Sequence, residues 1–281
     1  MGRRADTSKH SSSIALASPE DWLVGGGEMG KYIRSKDWSK SPLGPIESWP
    51  QSLRTTVGLC LASNFPIALV WGPDHVQIYN DGYWPICGAK HPTSMGQDFT
   101  VCWAAPWPVI GDAFERAAGG ETSFLEDQRM FLDRYGYLEE TCFTFSFSPI
   151  RDESGGVGGL FHPVTETTSR MLSERRTRSL RDLAASAGKA QTMEEACTLA
   201  AQTLTAFEFD VPFALFYLFD DAAREARLTA HCGIQSGTPA SPEKITLDPA
   251  APASAWPLAR LARSSQPVHC KDLARWFGQL S

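Results

Sequence analysis

The sequence feature that most restricts the fold is an alternating run of aromatic residues within Tyr137–Thr168. Phenylalanines occupy every second position of one segment, with threonine and serine between them, which is the period of a strand with one buried face. Pro149 lacks an N–H donor and is expected to end this strand, before a polar, glycine-bearing turn at residues 151–156. A second strand is predicted at Val157–Val164, so the sequence predicts a long antiparallel pair followed by a charged helix. The alternating phenylalanines are Phe143, Phe145 and Phe147.

Composition limits the class of protein. The chain has 281 residues, 42% of them hydrophobic and 21% charged, which is typical of soluble globular proteins with room for two domains. The net charge of −6 and the lack of a basic stripe argue against a nucleic-acid surface. Residues 1–18 contain no apolar run and are predicted to form a disordered tail, and no segment is apolar for long enough to cross a membrane. We therefore expect a cytoplasmic protein without membrane or nucleic-acid partners.

The cysteines point to the same compartment. Seven cysteines are scattered without a CxxC pair, which argues against both a disulfide framework and a zinc site and fits a reducing environment. Each is interpreted as a small buried hydrophobic residue.

The first part of the chain predicts helices around an antiparallel sheet. Turn formers and two short helical segments within residues 19–63 predict an N-terminal helical cap. A hairpin is predicted next, then helices clustered on one side, then three strands, so the fold class is α+β with a five-stranded antiparallel sheet. The predicted elements are helices at Glu28–Arg34, Gln51–Ser63, Asp81–Cys87, Thr100–Trp103 and Pro108–Gly119, and strands at Phe65–Trp71, His75–Tyr79, Glu121–Arg134 and Tyr137–Pro149.

These segments together resemble a PAS domain over residues 25–168. The segments LGPIESWPQSLRT, YND and YLEETCFTFSFSPIRDE, in this order and at these spacings, are similar to the PAS subgroup at the front of bacterial sensor histidine kinases. The resemblance implies that the last strands carry a signal from a pocket into the following helix, through a motif usually written Asp-Ile-Thr. Depending on the alignment, Thr165 replaces the Asp of that motif or Val164 replaces its Ile. The implied signal-coupling residues are Val164, Thr165, Glu166 and Thr167.

The remainder of the chain predicts a helix and a second domain. Residues 169–190 are helical and basic, and their leucines fit either a solvated connecting helix or a coiled-coil dimer seam. From residue 191 a helix, a buried strand at 210–220, an acidic turn and a returning strand at 226–232 resemble the start of a GAF domain. Because the chain stops at Ser281, we expect this GAF-like part to be incomplete. The predicted domains are thus 1–18, 19–168, 169–190 and 191–281.

An aromatic set in the first domain marks the candidate pocket. Large aromatic rings hold planar ligands well, and they equally fill a core by themselves, so both interpretations stay open. A flavin would call for a reactive cysteine such as Cys87 or Cys102, a haem for a pocket histidine such as His91, and a bilin for a chromophore motif in the second domain. None of these has its usual sequence context, so the cofactor is left unknown. The pocket candidates are Trp71, Tyr79, Tyr83, Trp84, Trp103, Phe143, Phe145 and Phe147.

No catalytic constellation is recognisable in the sequence. A glycine-rich phosphate loop, the phosphoacceptor helix and the ATP-binding boxes of a histidine kinase are absent from the 281 residues. We therefore expect a non-enzymatic signal-input module of a two-component histidine kinase, forming a homodimer through the linker helix or the N-terminal cap. The alternatives are a cofactor-binding photosensor or redox sensor, and a dimerisation module without a ligand.

Overall fold

The computed structural model describes residues 22–222, 224–248, 256–264 and 266–278. The chain divides into two compact units, Met1–Thr168 and Ser169–Ser281. The predicted tail at 1–18 lies outside the described residues. Within the part of the chain that the structure describes, no helix combines the length and the apolar character needed to span a bilayer.

The first unit is an antiparallel sheet with helices on its inner face and a helical cap on its outer face. The strand order is β2-β1-β5-β4-β3, and every neighbouring pair is antiparallel. This confirms the α+β class and the PAS-like five-stranded sheet. The helices are α1 (Gly27–Ser35), α2 (Gln51–Ala62), α3 (Trp84–Cys87), α4 (Phe99–Cys102) and α5 (Trp107–Ala118), and the strands are β1 (Ile67–Trp71), β2 (Val76–Tyr79), β3 (Ser123–Leu132), β4 (Glu139–Arg151) and β5 (Val157–Glu166).

Strand β4 follows the alternation of its sequence. Phe143, Phe145 and Phe147 are at most 3% exposed, whereas Thr144 and Ser146 between them are half-buried on the opposite face. The prediction that Pro149 ends the strand was wrong, because Pro149 pairs with Leu160 and β4 continues to Arg151. Strand β3 begins at Ser123, opposite Phe147, and does not reach Pro149. Only the β5 side of β4 is therefore paired at this proline, and a missing N–H is tolerated at such an edge.

A buried asparagine joins the cap to the sheet. Asn80 follows β2, is 1% exposed, and accepts hydrogen bonds through Oδ1 from the backbone N–H groups of Ile67 and Tyr83, each at 3.1 Å. Its Nδ2 lies 2.8–3.0 Å from three carbonyl oxygens at the end of α2 and in the loop to β1. Every polar atom of this side chain therefore has a partner. The three carbonyls belong to Cys60, Ser63 and Phe65.

The next residue, Asp81, binds the first turn of helix α1 in the N-terminal helical cap. The Asp81 carboxylate accepts the backbone N–H groups of Glu28 at 3.0 Å and Met29 at 2.7 Å, in the first turn of α1. A carboxylate at a helix N-terminus satisfies otherwise free N–H groups and complements the helix dipole. The sequence predicts Asn80 or Asp81 as the cap of the helix that follows them. Asn80 does accept the N–H of Tyr83 there, whereas Asp81 caps a helix 52 residues earlier in the chain.

The second unit has its own small core. Its elements are helices α6 (Thr168–Ala187, of which only Thr168 belongs to the first unit), α7 (Met193–Leu204), α8 (Leu258–Ser264) and α9 (Leu273–Phe277), and strands β6 (Ala214–Phe219), β7 (Glu225–Cys232) and β8 (Lys244–Thr246), in the order β6-β7-β8. Strand β8 was not among the elements predicted from the sequence. The resemblance of this unit to an incomplete GAF domain stays a prediction.

Helix α6 is not a free linker over its whole length. Arg175 pairs with Asp210 through two hydrogen bonds, and the hydroxyl of Ser186 lies 2.8 Å from that of Thr203. Leu183 packs against the cluster around α7 and β7, whereas Leu180 is 68% exposed. One leucine of the predicted dimer seam is thus used within the second unit.

Candidate functional site

The helices and the inner face of the sheet enclose a cavity in the first unit, here called the interior cavity. Its lining comes from α3 to α5 on one side and from β3, β4 and β5 on the other, so residues far apart in sequence meet there. Most of them are large and apolar. The lining residues are Tyr83, Ile86, Phe99, Trp103, Pro106, Ile110, Met130, Leu132, Phe143, Phe145, His162 and Val164.

The interior cavity is small. The space open to the centre of a water-sized sphere is about 30 Å³, and a single water needs about 10–15 Å³ on this measure. There is thus room for about two to three water molecules. Pockets for drug-sized ligands run to about 300–1,000 Å³, so a flavin or haem does not fit unless the surrounding rings move.

The structure brings together half of the predicted pocket residues. Tyr83, Trp103, Phe143 and Phe145 line the interior cavity. Phe147 and Tyr79 are fully buried beside it and fill the core. Trp84 is 39% exposed and packs on His91.

Trp71 lies elsewhere, on the outer face of the sheet. Gly159 makes this close packing possible, because a Cβ at that position would lie 2.6 Å from the Trp71 ring and 2.5 Å from the Val70 carbonyl oxygen. Trp71 lines an open cleft of about 610 Å³ at the end of the sheet, beside the turn that contains Asp152 and Glu153. The carboxylates there are committed to backbone N–H groups, including that of Ser52 at 2.7 Å.

Sequence reasoning missed the histidine of the cavity wall. His162 on β5 is 6% exposed and stacks on Phe147, with ring centroids 4.1 Å apart and an interplanar angle of 10°. Its Nδ1 lies 2.9 Å from the carbonyl oxygen of Ser146, which can only accept a hydrogen bond. Burial lowers the pKa of His162 to about 4, although the bond to Ser146 acts in the opposite direction. His162 is therefore neutral at pH 7, with its proton on Nδ1.

The cysteines and the histidine suggested for a flavin or haem do not line this cavity. Burial raises the pKa of the Cys87 thiol to about 12 and also raises that of Cys102, so neither thiol ionises readily. His91 Nδ1 lies 2.8 Å from the Tyr79 hydroxyl, which also lies 2.7 Å from Ser94 Oγ. Among the described residues, no group of three or more metal-ligating side chains forms.

A charged cluster closes the sheet at the point where β5 leads into α6. Arg134 is 8% exposed and follows β3. It donates Nε to Glu139 at 2.6 Å and both terminal nitrogens to the Glu166 carboxylate, at 2.9 and 3.0 Å. Burial alone would lower the pKa of Arg134, but the bonds to Glu166 and Glu139 more than offset this and raise it. Such a two-pronged pair fixes orientation as well as distance.

The threonine that begins α6 completes the cluster, which we call the Arg134 clamp: Arg134, Glu139, Glu166 and Thr168. The Thr168 hydroxyl donates to Glu166 at 2.9 Å and accepts the backbone N–H of Cys142 at 3.0 Å. The N–H of Thr167 donates to the Cys142 carbonyl at 2.7 Å. The chain entering α6 is therefore held on both strands β4 and β5.

The predicted coupling residues occupy different environments. Val164 is buried and lines the interior cavity, Thr165 is exposed, and Glu166 belongs to the clamp. Thr167 bonds β4 through its backbone, and its buried hydroxyl has no hydrogen-bond partner in the described structure. Arg134 and Thr168 were missed. The sequence signal that could have identified Thr168 is Glu166, because the two residues have the spacing of Asp and Thr in the expected Asp-Ile-Thr motif.

The second unit carries a separate apolar cleft of about 460 Å³. It is lined by residues of β6 together with the segments around α8 and α9. The residues that line this cleft do not include a cluster of polar side chains.

No protein-family profile matches the sequence, and no curated protein matches it. Among solved structures, an RNA-binding Light-Oxygen-Voltage receptor is 17% identical, with a TM-score of 0.35 over 52% of this chain and 42% of that chain. The chain thus spans less than half of that receptor.

Two further structures cover nearly all of their own length. The Rhodobacter sphaeroides LOV protein is 12% identical, with a TM-score of 0.36 over 57% of this chain and 97% of its own. The PAS domain of Bordetella pertussis BvgS is 18% identical, with a TM-score of 0.31 over 47% and 98%. At these identities and TM-scores the likeness carries no information on ligand or activity. The PAS-like fold assignment rests on the sheet and helices described above.

Proposed function

We propose that the chain is a sensory signal-input module, in which the state of the interior cavity controls the start of α6 through the Arg134 clamp. The observation that carries this proposal is the position of the clamp. Leu132 and Val164 line the cavity, and Arg134 and Glu166 follow them by two residues on the same two segments. Val164 and Glu166 share a face of β5, because residues two apart in a strand lie on the same face, and Arg134 lies in the turn directly after β3, so the clamp adjoins the cavity wall on both segments.

The mechanism needs two arrangements of the sheet end. A ligand that binds one arrangement more tightly shifts the population toward it, and a ligand with equal affinity for both shifts nothing. Expansion of the cavity would displace Leu132 and Val164. In one arrangement Arg134 holds Glu166, and through it Thr168 at the start of α6. In the other arrangement Arg134 releases both residues.

The biological setting follows the sequence resemblance. We propose that the module acts in the cytoplasm, catalyses no reaction itself, and serves a two-component histidine kinase whose kinase core is not in this chain. The partial GAF-like domain and the homodimer belong to the same proposal. Leu180 on α6 is exposed and available to a second copy, which supports a dimer contact through this helix.

The test enlarges the interior cavity and measures amide hydrogen exchange at the start of α6. In Val164→Ala, a cavity-lining side chain is shortened next to the clamp. We expect hydrogen exchange of the amides in residues 167–172 to accelerate by about tenfold, comparable with the loss of a hydrogen bond to a charged group. Glu166→Gln, which weakens the clamp directly, should produce the same local change.

The matched control is Val157→Ala, on the same strand but away from the interior cavity and the clamp. It should leave exchange at residues 167–172 unchanged. Equal acceleration in both valine variants would mean that α6 reports only general stability, and the proposed coupling would be wrong.

A further inference from the structure

We propose that the interior cavity binds a small uncharged molecule carrying a hydroxyl group, held between the Tyr83 hydroxyl as donor and His162 Nε2 as acceptor. This rests on the proposed function only in taking the bound molecule as the input signal. The class of molecule itself follows from the cavity wall.

The acceptor is fixed by the surroundings of His162. Because Nδ1 donates to the Ser146 carbonyl and the ring is neutral, Nε2 carries a lone pair and no proton. The ring cannot turn freely, since Phe147 stacks on it and Phe145 packs edge-on at 5.5 Å. No hydrogen bond to Nε2 comes from any residue that the structure describes.

The donor lies on the opposite wall. Tyr83 is 2% exposed, its ring centroid is 6.1 Å from that of His162, and burial raises its pKa well above the ordinary value. Its hydroxyl is therefore protonated, and no partner for it exists among the described residues. Buried polar groups are hydrogen-bonded in more than about 90% of cases. A donor and an acceptor that both line one cavity without partners thus call for an occupant with the opposite pair of groups.

Size and charge narrow the class. The cavity has room for about two to three water-sized groups beyond the present packing, which matches a molecule of about three non-hydrogen atoms, and its remaining lining is aromatic and aliphatic. No lining side chain is charged at pH 7, so an ion would be buried without a counter-charge. A short alcohol meets these conditions: its oxygen accepts a hydrogen bond from the Tyr83 hydroxyl, its own O–H donates one to His162 Nε2, and its alkyl part would lie against apolar lining residues such as Ile110 and Val164.

The experiment uses the full chain and nuclear magnetic resonance of the imidazole nitrogens. Ethanol is titrated as the probe. The comparison compounds are acetonitrile, which accepts but does not donate hydrogen bonds, and ethane, which neither accepts nor donates them. We expect ethanol to shift the His162 Nε2 resonance saturably. Acetonitrile should bind about threefold to tenfold more weakly, because it leaves Nε2 without a partner.

Two variants locate the donor. Tyr83→Phe should weaken ethanol binding by about threefold to tenfold. Tyr79→Phe is the matched control, because its hydroxyl is also buried but bonds to His91 and Ser94 outside the cavity. It should leave the affinity for ethanol unchanged.

The inference is overturned if ethanol gives no saturable shift in the unmodified chain, which would mean a cavity that holds water only. It is also overturned if ethanol and acetonitrile bind equally well. Exchange at residues 167–172 separates this result from the proposed function. Saturable binding without any change there would support the ligand class and contradict the signalling role, whereas Val164→Ala effects without ethanol binding would do the reverse.

Discussion

Two buried polar sites of the first unit differ in one respect, namely whether their hydrogen bonds are complete. Asn80 uses Oδ1 and Nδ2 to join five backbone groups of the cap, β1 and the following turn. Tyr83 and His162, in the core of the same unit, each leave one polar atom without a partner among the described residues. Buried polar groups with all bonds made specify a unique structure, whereas incomplete ones keep capacity for another molecule. The comparison separates a structural site from a candidate binding site.

The largest effect is expected for a charge introduced into the apolar wall of the interior cavity. Phe145→Asp places an unpaired charge where the side chain is now 3% exposed and faces the interior cavity. The penalty should exceed about 5 kcal/mol and prevent the first unit from folding. Circular dichroism and thermal melting measure this. Ser146→Asp, on the half-buried outer face of the same strand, should remain folded, and equal damage in both would contradict the assignment of faces.

The second prediction concerns loss of the Asn80 side chain, whose hydrogen bonds are complete. Asn80→Ala removes the side-chain partner of the Ile67 N–H and of the Ser63 and Phe65 carbonyls, whereas the Tyr83 N–H keeps its bond to the backbone carbonyl of residue 80. The free energy of unfolding of the first unit should fall by about 4 kcal/mol, measured by urea denaturation. Asn64→Ala, at an exposed position in the same loop, is the control and should change stability by less than about 0.5 kcal/mol. A small effect at Asn80 would remove the contrast between the two sites.

The third prediction concerns pH. His162 has a pKa of about 4 in the folded chain against an ordinary value of 6.5, so the unfolded chain binds the extra proton in this interval. Stability attributable to His162 is therefore complete above about pH 6.5 and is lost as pH falls toward 4, by about 3 kcal/mol in total. Urea denaturation at a series of pH values measures this slope. His162→Phe, which keeps a ring against Phe147, should flatten it, and an unchanged slope would show that other groups cause the acid sensitivity.

Much of the fold could be predicted from local patterns. The phenylalanine alternation located β4 and its buried face, and the helical stripe at 51–63 located α2 within one residue of its end. Strand ends were less predictable. Pro149 resembles a strand terminator locally, and it is acceptable inside β4 only because the neighbouring strand β3 begins opposite Phe147 and leaves that side of Pro149 unpaired.

The candidate site was predicted in part, for a similar reason. Half of the aromatic pocket candidates line the cavity, but His162 appeared in the sequence only as a strand residue. Its role depends on the register between β4 and β5, which places it against Phe147 and the carbonyl of Ser146. Likewise, the Arg134–Glu166 pair joins residues 32 positions apart.

The sequence by itself determined the α+β class, the antiparallel strands and the apolar inner face, because alternation and helical periodicity are properties of neighbouring residues. Only the tertiary structure decided which side chains face the cavity, how little space it leaves, and which polar atoms have no partner. Those features depend on how strands and helices distant in sequence pack together, and a difference of one residue in register would turn each of these side chains to the other face.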